Sequence, residues 1–166
     1  MKFLPRENII YKSKLREEEI IRRLTHSIGP EKGFSFGMSG SSTKPYEGKI
    51  NGQTFDIKRT INYRNSFLPR INGFIQRDFD GISIKVNMRL HILIIVFLSI
   101  WCGLVGFVCL GLLAQFFIHL KFNPAALIPF GMLLFAYVLT MVAFKFESSK
   151  SKKDLQTLFE AEPIEA

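Results

Sequence analysis

The sequence predicts an α+β membrane protein, in which an N-terminal amphipathic helix lies on an antiparallel β-meander and a two-helix transmembrane hairpin follows. Two observations predict this fold. Apolar and polar residues alternate over much of the stretch from Tyr46 to Leu90, and the uncharged runs Ile92–Leu120 and Phe122–Phe144 come next. Alternation is typical of a sheet with one buried face, and uncharged apolar runs of about 20 residues are typical of membrane spans.

The composition agrees with a membrane protein that has a basic soluble part. The chain has 166 residues, of which 48% are hydrophobic, and its formal net charge is +8. This length allows about one domain. Both cysteines, Cys102 and Cys109, lie inside the first uncharged run, so the soluble part fits a reducing compartment. Two residues this far apart on one helix cannot form a disulfide, and no metal-ligand spacing is present.

Residues 1–90 are predicted to form a cytoplasmic α+β module. Asn8–Tyr11 is a candidate short strand, and Ser13–Pro30 has the charge order and the terminal Gly-Pro pair of a helix. The apolar face of this helix is expected to cover the sheet, and a partner-binding face is the alternative. It consists of Ile20, Ile21, Leu24 and Ile28.

A four-stranded meander is predicted to complete this module. Residues 33–42, which precede it, are rich in Gly and Ser and predict a linker or a weak strand. Asn51-Gly52 is a strong hairpin turn signal, because both residues tolerate positive φ. A second turn is predicted at Asp78–Gly81. The four predicted strands are Tyr46–Ile50, Gln53–Asn62, Phe67–Arg77 and Ile82–Leu90.

The hairpin is predicted to leave both chain termini in the cytoplasm. Basic residues flank the two uncharged runs, whereas the connector between them contains only Lys121. Positive flanks stay on the cytoplasmic side of a membrane. The tail after the hairpin contains Asp154–Ala161, which predicts a short helix. The predicted bounds are 91–120 for the first transmembrane helix, 121–124 for a short extracytoplasmic connector, 125–145 for the second helix and 146–166 for the cytoplasmic tail.

Strand direction places one loop of the meander at the membrane. The strand Ile82–Leu90 runs directly into the first span, so the loop between the second and third strands lies at the same end of the sheet. Aromatic rings in such a loop can contact the interface, and arginines can reach lipid phosphates. The predicted membrane-docking loop consists of Tyr63, Arg64, Phe67 and Arg70, and the predicted interfacial residues are His91, Trp101 and His119.

Small residues recur along one face of each predicted span. They let helices approach closely in lipid, where no hydrophobic force draws helices together. They predict packing within the hairpin, and contact with another membrane protein or with a second copy is the alternative. The predicted helix-packing positions are Ser99, Gly103, Gly106 and Cys109 on the first span and Gly131, Ala136 and Thr140 on the second.

The sequence lacks the residue patterns that accompany familiar catalytic chemistry. It contains no nucleophile elbow, zinc-ligand spacing, phosphate loop or dinucleotide fingerprint. The uncharged runs Ile92–Leu120 and Phe122–Phe144 contain none of the mid-membrane Asp, Glu, Lys or Arg side chains that ion coupling requires. We therefore expect no catalytic residue, no metal site and no cofactor. The dispersed basic residues favour anionic lipid headgroups over nucleic acid as a partner.

A distinctive order of short motifs runs through the second half of the predicted module and into the first span. It consists of Lys44–Gly48 (KPYEG), Tyr63–Pro69 (YRNSFLP), Gly73, and Met88–His91 (MRLH) directly before the span that contains Trp101. Together these motifs resemble a group of small bacterial inner-membrane proteins that have no established activity. The resemblance covers about residues 44–105, and it implies a location in the bacterial inner membrane.

These observations predict a non-enzymatic inner-membrane protein that binds another protein, as an accessory subunit of a membrane complex or as an immunity-type protein. One alternative is a ligand-sensing membrane effector whose hairpin oligomerises and perturbs the membrane. A lipid-handling enzyme is the other alternative, although no catalytic set supports it.

Overall fold

The computed structural model shows an α+β fold with a seven-stranded mixed sheet, one short helix and two long apolar helices. It describes residues 4–30, 44–61, 63, 65–79, 81–119, 124 and 127–165. The strands are β1 (Arg6–Ser13), β2 (Ile28–Gly29), β3 (Tyr46–Asn51), β4 (Thr54–Arg59), β5 (Arg70–Asp78), β6 (Gly81–Arg89) and β7 (Glu162–Glu165). The helices are α1 (Glu17–Ser27), α2 (Ile92–His119) and α3 (Leu127–Phe159).

The predicted meander is confirmed as strands β3 to β6. Each of these strands is antiparallel to the next. Gly52 closes the turn between β3 and β4 with a φ of +57°, which glycine adopts without strain. The predicted strand at Asn8–Tyr11 is also present, as the middle of β1. The Gly- and Ser-rich residues 33–42 lie outside the described residues.

The sheet is wider than the predicted four strands, and its order is β2-β3-β4-β5-β6-β1-β7. β1 pairs antiparallel with β6 on one side and with β7 on the other, so strands from both ends of the chain lie side by side. β2 pairs parallel with β3, which makes the sheet mixed. Pairing between segments so distant in sequence involves no local turn, and the sequence therefore carries no short-range signal for it.

One face of the sheet bears the hydrophobic core and is covered by α1 and by the C-terminal part of α3. Ile20 and Leu24 of α1 are wholly buried there, in agreement with the predicted apolar face. The ring of Phe159 in α3 is also wholly buried, with its centroid 5.6 Å from Tyr11 and 6.2 Å from Phe55. Burial of one such side chain contributes about 1.5–3 kcal/mol. The end of α3 is therefore a structural part of the sheet domain.

α3 is one continuous helix, whereas the sequence predicts a span that ends at residue 145 and a separate short helix in the tail. The segment 146–153 contains no Gly or Pro to stop a helix, and its lysines are good helix formers. Ser148 and Ser151 are buried against the sheet instead of facing solvent. The segment after residue 145 is thus not a free tail. It continues the helix into the core and leads on to β7.

The two ends of the sheet differ in what they adjoin. β6 ends at Arg89, three residues before α2 begins, and Arg89 lies directly opposite both Arg6 of β1 and Arg70 of β5. We call this the hairpin end of the sheet. The turn at Asn51-Gly52 lies at the opposite end, as the strand directions require.

Both long helices have the length and the apolar composition to cross a membrane. In the most apolar 18-residue stretch of Ile92–Ile118, only 6% is buried, and in the corresponding stretch of α3 the buried share is 17%. A core helix of a soluble protein would be mostly buried, so these exposed apolar surfaces agree with a two-pass membrane protein. The predicted spans 91–120 and 125–145 overlap α2 and the first part of α3.

Candidate functional site

Polar side chains are concentrated where α3 passes beneath the hairpin end of the sheet. Glu147, Ser151 and Asp154 are spaced four and three residues apart, so they share one face of the helix. Glu147 and Ser151 are wholly buried, and Asp154 is half-buried. Buried polar groups usually have partners. The partners of Glu147 come from β4 and from the loop that follows it.

Glu147 is the centre of what we call the junction cluster, which comprises Arg59, Tyr63, Asn65 and Glu147. The hydroxyl of Tyr63 donates a short hydrogen bond to Oε1 of Glu147, and Nδ2 of Asn65 donates to the same oxygen at 3.4 Å. Nη1 of Arg59 lies 3.7 Å from Oε2 of Glu147. Oε2 accepts no hydrogen bond from the described residues. The hydrogen bond to Glu147 raises the pKa of the Tyr63 phenol, because it stabilises the protonated form.

Asn65 gives the loop the shape that brings Tyr63 to the helix. Its Oδ1 accepts a hydrogen bond from the backbone N–H of Phe67 at 3.0 Å, which is an Asx-turn. Its backbone carbonyl accepts from the N–H of Leu68 at 3.4 Å. One asparagine therefore both turns the chain and contributes an amide to the carboxylate of Glu147.

A groove of about 600 Å³ opens between this loop and α3. Phe67 lines it from the loop, and Leu139, Val142 and Phe146 line it from the apolar part of α3. Glu147 and Lys150 also line it, and the Lys150 ammonium lies 4.0 Å from the centroid of the Phe146 ring. The groove thus joins the apolar surface of α3 to the junction cluster.

A second set of polar contacts fixes α3 along β1. Ser148 donates a hydrogen bond to Oε2 of Glu7 at 2.6 Å, and Nζ of Lys152 lies 2.6 Å from the same oxygen. The Tyr11 hydroxyl donates to the backbone carbonyl of Lys152 at 3.3 Å, and Ser13 donates to that of Phe159 at 2.6 Å. Burial raises the pKa of Tyr11 to about 12, with a smaller contribution from the charge of Glu7. β1 and the end of α3 are therefore joined at several points.

Three buried hydroxyls lie on or next to the elements that carry Asp154 and Arg59. The hydroxyls of Thr60 and Ser151 are buried and have no hydrogen-bond partner among the described residues, and the buried Tyr46 hydroxyl interacts with Asp154. Arg59 binds Asp154 with an Nε–Oδ2 distance of 3.1 Å. Burial raises the pKa of Tyr46 well above its usual value, and the negative charge of Asp154 adds to this effect. This region holds its charged groups in ion pairs.

The residues predicted as a docking loop occupy different environments. Tyr63 is half exposed beside Glu147, and Phe67 lines the groove. Arg64 lies outside the described residues. Arg70 is on β5, where its Nε contacts Oδ1 of Asp56 at 2.7 Å and Oδ2 at 3.0 Å.

The predicted interfacial residues lie at different positions relative to α2. His91 precedes α2, and its Nδ1 accepts a hydrogen bond from the N–H of Leu93 at 3.2 Å. Trp101 is about 14 Å along α2 at 1.5 Å per residue, inside the apolar helix and far from its start. His119 is the last residue of α2. The side chain of His119 lies outside the described part of the structure.

The predicted helix-packing positions divide into two groups. Cys109 and Thr140 are buried, and the Thr140 hydroxyl donates to the carbonyl of Ala136 in the same helix at 2.7 Å. Ala136 and Gly106 are half-buried, whereas Ser99, Gly103 and Gly131 are exposed. A Cβ added to Gly103, Gly106 or Gly131 would meet no atom within 4 Å. Contact between α2 and α3 thus leaves these glycine surfaces open.

Sequence reasoning missed Glu147 and Arg59. The available signal was a lone Glu directly after the second apolar run, followed by Ser151 and Asp154 at helical spacing.

Within the described ranges, no group of three or more His, Cys, Asp or Glu side chains is placed to hold a metal ion. Comparison of the chain with protein-family models, curated proteins and solved structures finds no match.

Proposed function

We propose that this chain is a non-enzymatic, two-pass protein of the bacterial inner membrane that holds an α+β domain at the cytoplasmic surface and binds another membrane protein. The observation that supports this most directly is the continuity of α3. Its first part is apolar and exposed, as for Leu134 and Phe135, and its last part is buried in the sheet domain, as for Leu155 and Phe159. A single rigid element thus joins the membrane to the domain.

The proposed orientation follows from charge. Lys145, Lys150, Lys152 and Lys153 follow the second apolar run, and Arg89 precedes the first. The connector contains a single Lys, so the positive-inside preference favours a cytoplasmic sheet domain. The bacterial inner membrane itself is proposed from the resemblance of residues 44–105.

The open glycine surfaces of the hairpin support a protein partner. Gly103 and Gly131 are exposed, and space lies open beside each of them. In lipid, glycine surfaces favour association because they let another helix approach closely and gain van der Waals contact. We propose that a helix of a partner membrane protein packs on these surfaces, and that lipid covers the bulkier positions such as Phe107, which is 79% exposed.

The test places a photoreactive amino acid at Gly103 or Gly131 of the full chain in native membranes. Phe107 and Phe135, which are exposed on the same helices, provide matched controls. We expect an adduct of one defined mass from the glycine positions and none from the controls. An adduct of twice the mass of the chain would identify a second copy, and the absence of any adduct would contradict a protein partner.

Membrane insertion is tested separately by alkaline carbonate extraction. An integral two-pass protein stays in the pellet, whereas release of the chain into the supernatant would contradict the whole proposal. Labelling of a cysteine introduced at the exposed Lys12 by a membrane-impermeant reagent reports the side of the domain. Labelling in intact cells would reverse the proposed orientation.

A further inference from the structure

The face of the sheet that α1 and α3 leave open has a row of basic residues at its hairpin end. Directly opposite residues of paired strands point to the same face. Arg6 of β1 is opposite Arg89 of β6, Arg89 is opposite Arg70 of β5, and Arg70 is opposite Lys58 of β4. We call these four residues the basic row. At about 4.8 Å between neighbouring strands, the row is about 14 Å long.

Such a row has a cost that the fold only partly offsets. Like charges directly opposite each other destabilise a sheet. Arg70 binds Asp56 at 2.7 Å, and Lys58 lies 3.5 Å from Glu47. Both carboxylates therefore neutralise basic residues in the half of the row on β4 and β5.

Among the described residues, the other half of the row has no acid partner. Neither Arg6 nor Arg89 forms an ion pair with a described carboxylate, and Nδ2 of the neighbouring Asn87 donates its hydrogen bond to Oδ1 of Asn8. Both side chains are exposed. Two adjacent arginines thus present uncompensated charge on the open face.

The position of the row determines what it can reach. Arg89 lies three residues before α2, or about 10 Å of extended chain. The neighbouring row on the same face, one step farther from the hairpin, contains Asn8, Asn87, Asn72 and Asp56 and therefore has no net positive charge. Farther from the hairpin, this face carries isolated lysines such as Lys85 and Lys12, neither of which lies opposite another basic residue. Among the described strands, basic residues lie directly opposite one another at the end of the face nearest the apolar helices.

We propose that the basic row binds the phosphates of anionic lipid headgroups in the membrane that α2 and α3 cross, with Arg6 and Arg89 as its principal contacts. This inference rests on the proposed membrane location. Guanidinium groups bind phosphate through paired N–H donors, and basic residues next to a membrane surface attract anionic lipids. Single-stranded nucleic acid fits less well, because binding along a sheet face needs aromatic stacking platforms, and Phe74 is the exposed aromatic among the described strand residues of this face.

The experiment uses the full chain purified in a neutral detergent and titrated with phosphatidylglycerol or phosphatidylcholine. Bound lipid is measured by native mass spectrometry, and Tm is measured in parallel. The test variant is Arg6→Gln/Arg89→Gln. The control is Lys12→Gln/Lys85→Gln, which removes the same charge from exposed positions of the same face farther from the hairpin.

We expect phosphatidylglycerol to bind the native chain more tightly than phosphatidylcholine and to raise its Tm. At about fivefold per basic residue, the test variant should bind phosphatidylglycerol about 30-fold more weakly, and the control should stay within about threefold of the native chain. Without lipid, the test variant should melt at the same or a higher temperature, since the substitutions relieve repulsion within the row. Because the test variant is expected to stay folded, weaker lipid binding by this variant can be assigned to the lost arginines and not to unfolding.

Three outcomes would overturn the inference. The first is unchanged phosphatidylglycerol binding by the test variant, and the second is an equal loss of binding in the control. The third is displacement of the bound lipid by a competitor, either inorganic phosphate at millimolar concentration or an oligonucleotide that binds more tightly than the lipid. If the native chain stays in the carbonate pellet while one of these results is obtained, only the basic row is refuted. Release from the membrane would instead refute the proposed function.

Discussion

The buried carboxylate of Glu147 should contribute to stability mainly as a hydrogen-bond acceptor, and two substitutions distinguish this role from its charge. Glu147→Ala removes the acceptor of the Tyr63 hydroxyl and of the Asn65 amide. Glu147→Gln keeps an oxygen for both donors and removes the negative charge. Glu160→Ala, at an exposed residue that pairs with Arg23, is the control for general loss of an acid.

The expected magnitudes follow from the partners. Removing one member of a buried ion pair typically costs about 3–5 kcal/mol. Arg59 keeps Asp154 at 3.1 Å and is partly exposed, so its charge does not become isolated. We therefore expect Glu147→Ala to lower the free energy of unfolding by about 2–3 kcal/mol, Glu147→Gln by less than about 1 kcal/mol, and Glu160→Ala by less than about 1 kcal/mol.

The assay is thermal unfolding of the full chain in detergent, followed by circular dichroism. For a chain of this size, about 2–3 kcal/mol corresponds to a decrease in Tm of about 5–10 °C. Hydrogen exchange of a peptide that covers residues 60–69 should become faster in Glu147→Ala and stay near native in Glu147→Gln. If both variants lose the same stability, the charge of Glu147 matters and the acceptor does not; a native-like Glu147→Ala would refute the proposed contact altogether.

Three further outcomes are expected in the same unfolding assay. The pKa of Tyr11 is raised from 10.0 to about 12, so the stability that its protonated phenol provides is complete below pH 10 and is lost as the pH rises to about 12; Tyr11→Phe should reduce this alkaline loss by about 2–3 kcal/mol. Gly73→Ala should cost about 1–3 kcal/mol, because a Cβ there would lie 1.9 Å from the Phe55 ring, and adding Phe55→Leu should recover part of the loss. Phe159→Ala should cost about 3–5 kcal/mol, whereas exposed Gln156→Ala on the same helix should change stability by less than about 0.5 kcal/mol.

Local patterns predicted the elements whose signals lie within a few residues. Asn51-Gly52 predicted the β3–β4 turn, and the alternation after it predicted the strands of the meander. The uncharged runs predicted both apolar helices. Each of these signals depends on periodicity or on turn chemistry, and neither requires knowledge of a distant partner.

Features that depend on distant contacts could not be predicted in the same way. Alternation places Arg89 on the polar face of its strand, but the basic row appears only when the register places Arg6 and Arg70 opposite Arg89. Glu147 resembles any acid that follows an apolar run until Tyr63 and Arg59 approach it from the sheet. The continuation of α3 was missed for the same reason. Its buried serines have the residue type of solvent-exposed positions, and only their contact with the sheet shows that they are buried.

The contacts of α3 also determine what can fold alone. A fragment of residues 1–90 contains six of the seven strands but lacks Leu155 and Phe159, whose side chains are wholly buried against Tyr11 and its neighbours. Without them the core face of β1 and β6 would be exposed to water, and the partner of β1 at β7 would be missing. The sheet domain can therefore be completed only after the chain has passed through both apolar helices and returned. In the proposed two-pass topology, a folded domain then requires an inserted hairpin, so the fragment alone should bind a hydrophobic dye and should lack cooperative unfolding, whereas a cooperative transition in the fragment would refute this coupling.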